Sequence, residues 1–146
     1  MLNGHAKAAT TVVFVLLVAV AGVVGNVAAQ KSTNLQNTPQ IEEALRQAAK
    51  AVNETAPLQI DKNTKLMNAV ALDKRLRYRY SLSHISARDF EKGSLIKLNA
   101  ERMRNNVCSS EGMKILVKLG AVLEYAYYDR DGIELEIVSI ETAKCN

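Results

Sequence analysis

The chain has no tryptophan, two phenylalanines and five tyrosines, too few aromatics for a large ligand-stacking platform. Histidine and cysteine number two each, and no short Cys-x-x-Cys or His spacing occurs, so a Cys/His metal centre lacks its ligands. There is no glycine-rich loop to cradle a phosphate. A strong charge imbalance is missing too. The 19 basic residues less Lys7 leave 18 beyond position 29, against 15 acidic ones. That excess is small for a nucleic-acid-binding domain. No cofactor, metal or nucleic acid is therefore expected, while an apolar content of 48% is ordinary for a globular protein.

What is present begins with a hydrophobic run. Lys7 precedes an uncharged stretch from Ala8 to Gly25, and Val27 and Ala29 occupy the small-residue positions expected before a cleavage after Ala29. This order reads as a secretory signal peptide. The competing reading is an uncleaved hydrophobic helix anchored in the membrane, because ~18 apolar residues can just span a bilayer. Either way the remainder is exported, to the periplasm or beyond, and meets a membrane only through this segment if it is retained. No Cys stands near the cleavage site to carry a lipid. The expected organisation is a signal peptide or anchor over 1–29, a flexible lead-in over 30–37, and one domain over 38–146.

Cys108 and Cys145 both lie in the exported part. Two cysteines in an oxidising compartment read as one disulfide, closing a loop worth ~4 kcal/mol of chain entropy.

Periodicity predicts the elements. Thr38-Pro39 starts a helix, with Ile41, Ala44, Leu45, Ala48 and Val52 on one stripe. "NETAP" ends it, and Asn53-Glu54-Thr55 matches the N-glycosylation acceptor pattern, which recurs by chance. The period then changes to two. Strands are expected over 64–72 and 75–83, with a turn at Asp73-Lys74. Ser86 and Asp89 resemble a capping box opening a helix that buries Ile96, Ala100, Met103 and Val107, with Gly93-Ser94 as a site of bending. A short helix carrying Met113, Leu116 and Val117 stops at Gly120. The last segment reads as a hairpin around Arg130-Asp131-Gly132, aligning Leu123, Tyr125 and Tyr127 with Leu135, Ile137 and Ser139. The fold class is α+β: an antiparallel sheet of about four strands, in two hairpins, packed on about three helices with one disulfide.

"RLRYRYSL" places Leu76, Tyr78, Tyr80 and Leu82 on one face of its strand and Arg75, Arg77 and Arg79 on the other. Glu124, Glu134 and Glu136 are expected on the same outer surface, giving cross-strand pairs of about 0.2–1 kcal/mol each. Arg75, Arg77 and Arg79 thus form a charge-matched solvated face first, and a partner-binding face second. The tyrosines that could stack with bases point inward.

Catalytic candidates are few. His84 is the single histidine of the exported part, and Ser81, Ser83 and Ser86 lie too near it in sequence to be arranged as a triad. Glu42-Glu43 and Asp129-Asp131 sit on exposed turns, where burial cannot tune a carboxyl group. Asp129, Asp131 and Glu134 are spaced too closely for an EF-hand loop. No catalytic residue is assigned.

"NNVCSS", "GAVLEYAYYDRDG" and the closing "AKC" resemble small exported bacterial α+β modules in which a helix ends in a Cys bridged to the tail of the last strand. The general plan is also similar to the pilotins of type II secretion, which bind the terminal helix of a secretin and escort it to the outer membrane. The resemblance covers about residues 40 to 145 and departs from lipoprotein pilotins in lacking a lipid-bearing Cys. It implies a non-catalytic interaction module of the cell envelope whose partner is another envelope protein. The alternative is a small-ligand or lipid carrier with a cavity under the helices, and a third reading is an enzyme built on His84.

Overall fold

The computed structural model describes residues 38–145. The expected signal peptide or anchor over 1–29, the lead-in over 30–37 and Asn146 lie outside the described residues. Helix α1 (Thr38–Thr55) buries Ile41, Leu45, Ala48, Ala49 and Val52, the stripe its 3.6-residue period requires. Its last turn is latched to the sheet. Asn53 Nδ2 donates to the Ala69 carbonyl, and Asn53 Oδ1 accepts from the Ala69 N–H, both at 2.8 Å. The amide that the glycosylation pattern singles out is thus engaged in holding the helix end.

Five strands follow: β1 (Leu58–Asp61), β2 (Thr64–Leu72), β3 (Arg75–Leu82), β4 (Val122–Tyr128) and β5 (Glu134–Glu141). They lie side by side in chain order. This corrects the expected four-stranded antiparallel sheet in two respects. A fifth strand, β1, pairs with β2, and β3 runs parallel to β4. The parallel pair follows from the connection. A single-turn 3₁₀ helix (Ala87–Asp89), α2 (Ser94–Ser109), a second 3₁₀ turn (Glu111–Met113) and α3 (Lys114–Lys118) intervene. They return the chain to the start of β3, where Val122 N–H donates to the Lys74 carbonyl at 2.9 Å. A crossover of that length permits parallel pairing, which a tight turn cannot.

The 3₁₀ turn and α2 are separate elements, so the capping pair at Ser86 and Asp89 opens only the short turn. Gly93, at a positive φ of 88°, precedes α2 and has no side chain to cap it. A strand supplies the cap: Glu136 Oε2 accepts the Leu95 N–H at 2.9 Å, placing a carboxylate at the positive end of the helix. Met103 and Val107 are buried as expected, while Ile96 is exposed and leaves the predicted stripe.

The hairpin loop Arg130-Asp131-Gly132 is as expected, with Gly132 at φ 81°. Its consequence for register differs. Between Tyr128↔Glu134 and Tyr127↔Glu136 the partner count skips Leu135, a bulge that shifts everything beyond it by one residue. Tyr125 therefore faces Val138 and Leu123 faces Ile140, in place of Ile137 and Ser139, and Glu136 turns to the helix side.

The core lies between the helices and one face of the sheet. Leu45, Leu66, Leu76, Tyr78, Tyr80, Met103, Leu116 and Leu123 are fully buried there. Tyr78 and Tyr125 stack at 5.4 Å between centroids, and Tyr80 and Tyr127 at 5.3 Å, because parallel neighbours stand side by side on one face. Cys108, on α2, is bonded to Cys145 with Cα atoms 5.3 Å apart, so the chain's tail is tied to the helix. Arg104 donates to the Lys144 carbonyl beside the bridge, and Thr142 Oγ1 donates to the Ala121 carbonyl at 2.6 Å.

Candidate functional site

The second face of the sheet carries no helix among the described residues. Its four long strands present, row by row, Val70 and Leu72 from β2, Arg75, Arg77 and Arg79 from β3, Glu124, Ala126 and Tyr128 from β4, and Ile137, Ser139 and Glu141 from β5. The alternation of "RLRYRYSL" made the arginine row readable. The parallel register then sets Arg77 directly beside Glu124.

Glu124 is the electrostatic centre. Its side chain is only 6% exposed, yet it lies on the open face, roofed by two guanidinium groups. Arg77 Nε donates to Glu124 Oε2 at 2.6 Å, and Arg75 Nη1 to Glu124 Oε1 at 3.3 Å. The hydrogen bond to Glu124 raises the Arg77 pKa further, against the opposing effect of burial. Arg79 is held differently, its Cζ 4.5 Å above the Tyr128 ring, a cation–π contact. Tyr128 in turn donates its hydroxyl to Glu134 Oε2 at 3.0 Å. The three arginines therefore hold unequal positions. Arg77 is committed, with a side chain 26% exposed, whereas that of Arg75 is 51% exposed.

Beside this row Met67, Val70 and Leu72 are 43%, 39% and 40% exposed. Sequence reasoning missed this apolar ledge, since "MNAVA" blurs its own alternation. The cause is a bulge at Met67, between the pairs Leu66↔Tyr80 and Asn68↔Arg79, which resets the face that each following residue takes.

The other candidates are placed elsewhere. His84 is exposed in the turn after β3. Asp129 is buried at the hairpin tip, where its carboxylate accepts the N–H groups of Ala87, Asp131 and Ile133 at 3.0, 2.8 and 2.8 Å. Those bonds, the one from Ile133 foremost, hold its pKa below the usual carboxylate value. They also use the oxygens that a calcium site with Asp131 and Glu134 would need. Among the described residues no group of three or more His, Cys, Asp or Glu side chains is placed to hold a metal ion. An open recess lies between Ser86–Asp89 and the hairpin tip, whereas the region under the helices, where a carrier would hold its cargo, is occupied by Tyr78, Tyr80, Met103 and Leu116.

No protein-family model matches the chain, and no curated protein matches it in sequence. Solved structures do match its fold. A candidate secreted protein of Pseudomonas aeruginosa superposes with a TM-score of 0.65 at 17% identity, over 79% of this chain and 100% of that one. The type II secretion system pilotin EpsS of Vibrio vulnificus gives 0.60 at 12% identity, over 77% and 98%. The type II secretion system pilotin AspS of Vibrio cholerae gives 0.54 at 8%, over 72% and 92%. The likeness to a small secreted protein and to pilotins expected from the sequence thus holds at the level of the fold.

Proposed function

We propose that the chain is an exported, non-catalytic protein-interaction module of the cell envelope that binds another envelope protein. The observation that carries this reading is that two of the three structures described above as sharing its fold are pilotins, components of a secretion system. Residues 1–29 act as signal peptide or membrane anchor, 30–37 as tether, and 38–146 as the binding domain. Cys108–Cys145 suits an oxidising compartment. The surface we assign to the partner is the helix-free sheet face around Arg75, Arg77 and Arg79. Lacking a lipid-bearing Cys, the chain works as a soluble or helix-anchored binder rather than as a lipid-borne escort.

The test uses the full chain expressed in a bacterial host. Fractionation should place it in the envelope with no alkylatable thiol. A photo-crosslinker placed at positions over the whole surface should then trap an envelope protein at one face. A cytoplasmic location with two free thiols, or co-purified lipid in place of any protein adduct, sinks this reading. An enzyme built on His84 would instead lose its phenotype in His84→Ala.

A further inference from the structure

We infer that the free edge of β5 receives one more strand. Its occupant is an extended segment of a partner protein, apolar at alternate positions and basic at its ends, which pairs with Ile137, Ser139 and Glu141. This edge is distinct from the arginine face and serves whether or not that face is occupied.

The register identifies the backbone groups that are free. Val122 N–H donates to the Lys74 carbonyl, so Val122, Glu124 and Ala126 turn their amides to β3. Leu123, Tyr125 and Tyr127 turn theirs to β5, where they face Ile140, Val138 and Glu136. The alternation of an antiparallel ladder then directs the N–H and C=O groups of Ile137, Ser139 and Glu141 away from β4. β5 is the last strand of the sheet, and among the described residues nothing bonds these groups. The bulge at Leu135 ends the regular edge, so the added strand spans Glu136 to Glu141.

A helix overhangs this edge. α2 runs along β5, pinned at one end by Glu136, which accepts the Leu95 N–H, and at the other by the bond between Cys108 and Cys145. Ile96 precedes Met103 by two helical turns and shares its stripe. Met103 is buried, yet Ile96 is 46% exposed. Leu95 lies at the level of Glu136, inside the span of β5. Ile96 has therefore not run past the end of the strand; it has run past its edge. An added strand supplies the missing floor, with its inward side chains in line with Val138 and Ile140 and beneath Ile96.

The same helix decides what kind of strand fits. A second copy joined edge to edge would set its β5 about 4.8 Å from this one. Its own α2 would then overlap this α2, because packed helix axes need about 8–10 Å. A strand with no helix above it meets no such obstacle. Charge selects its ends. Glu134 and Glu141 stand exposed at the two ends of β5, which suits a basic residue at each end of the visitor. Glu141 meets Lys144 at 2.9 Å, an exposed pair that a visiting lysine joins at little cost.

The experiment is hydrogen exchange of the full-length oxidised protein, read at single amides. The probe is a peptide of about seven residues, with lysine at both ends and valine and threonine alternating between them. The control is the same peptide methylated on alternate backbone nitrogens, which removes its ladder donors. In the free protein the amides of Ile137, Ser139 and Glu141 should exchange at least about tenfold faster than those of Val138 and Ile140. Saturating peptide should slow the first group at least about tenfold, and the methylated peptide should not. Ser139→Pro removes an outward N–H and spares the bonds to β4; Ile96→Asp leaves the edge intact and spoils its cover. Both variants should lose the protection by peptide while keeping the urea midpoint. Slow exchange at Ile137, Ser139 and Glu141 in the free protein overturns the assignment. So does a lack of protection by the peptide, equal protection by its methylated form, or undiminished protection in Ile96→Asp. Protection that grows with protein concentration in the absence of peptide gives the edge to a second copy and overturns it as well. None of these outcomes bears on the arginine face, so the proposed function stands or falls separately.

Discussion

Arg77 Nε and Glu124 Oε2 stand 2.6 Å apart across the parallel pair β3–β4, and that contact anchors the whole outer face. Glu124 is a buried carboxylate that accepts hydrogen bonds from both Arg77 and Arg75. Glu124→Ala would leave Arg77 half-buried without a counter-ion, at a cost of about 2 kcal/mol. Glu124→Gln retains an acceptor oxygen and should lose less. Urea unfolding of the two variants checks the order. An unchanged midpoint for Glu124→Ala would show the pair to be energetically idle.

The bridge between Cys108 and Cys145 closes a loop with a sequence separation of 37. Cys108→Ser, or reduction of the native protein, should destabilise the domain by about 4 kcal/mol in the chain-entropy description. The same reagent applied to Cys108→Ser should then change nothing. A midpoint that is insensitive to reductant would contradict this.

Asn53 satisfies both backbone groups of Ala69. Asn53→Ala orphans a donor and an acceptor next to the β2 bulge and should cost about 2 kcal/mol. Asn53→Asp keeps only the acceptor and should fall between. Amide exchange at Ala69 should accelerate in Asn53→Ala, which removes the acceptor of its N–H, and stay slower in Asn53→Asp, which keeps it.

Acid should unlock the hairpin tip. Asp129 has a depressed pKa in the folded chain, so its contribution is complete above the ordinary aspartate value of about 3.9. It is lost as pH falls through the lower, folded value. Stability should therefore drop as pH descends below about 4. Asp129→Asn should be less stable than wild type at neutral pH, and the difference should shrink as acid protonates the native carboxyl. Parallel pH profiles for the two proteins would overturn the assignment.

Alkali acts through the tyrosines. Burial raises the phenol pKa values of Tyr78, Tyr80 and Tyr125, and that of Tyr127 to about 12. Stability should be intact below about pH 10, the ordinary tyrosine value, and decline above it, because only the unfolded chain releases these protons readily. Tyrosinate absorbance should rise with the loss of far-UV circular dichroism instead of ahead of it. The Tyr80 hydroxyl finds no hydrogen-bond partner among the described residues, so Tyr80→Phe should be neutral or mildly stabilising. A loss above about 1 kcal/mol would mean that the hydroxyl is satisfied.

Much of the domain could be read without coordinates where a period was strong and uninterrupted. The α1 stripe, the two faces of β3, the Gly132 loop and the pairing of the two cysteines belong to this class. Reading failed where one residue broke the count. Leu135 and Met67 each bulge out of their ladders, and each reverses the faces beyond it. Ile137 was therefore expected inside and stands outside, Glu136 was expected outside and caps α2, and the ledge at Val70 and Leu72 went unseen. A bulge has no composition of its own; what places it is the packing of the neighbouring strand. β1 escaped for a related reason, since four residues are too few to establish a period.

Alternation and helical repeat are local properties, and they alone determined which side chains are buried along α1 and β3, that the chain is α+β, and that its arginines share a surface. Which strands become neighbours is a question of long-range closure. The two helices between β3 and β4 return the chain beside Arg75, turning two expected hairpins into one mixed sheet. Only that tertiary event brings Glu124 under Arg77, because residues 47 positions apart have no local period to relate them.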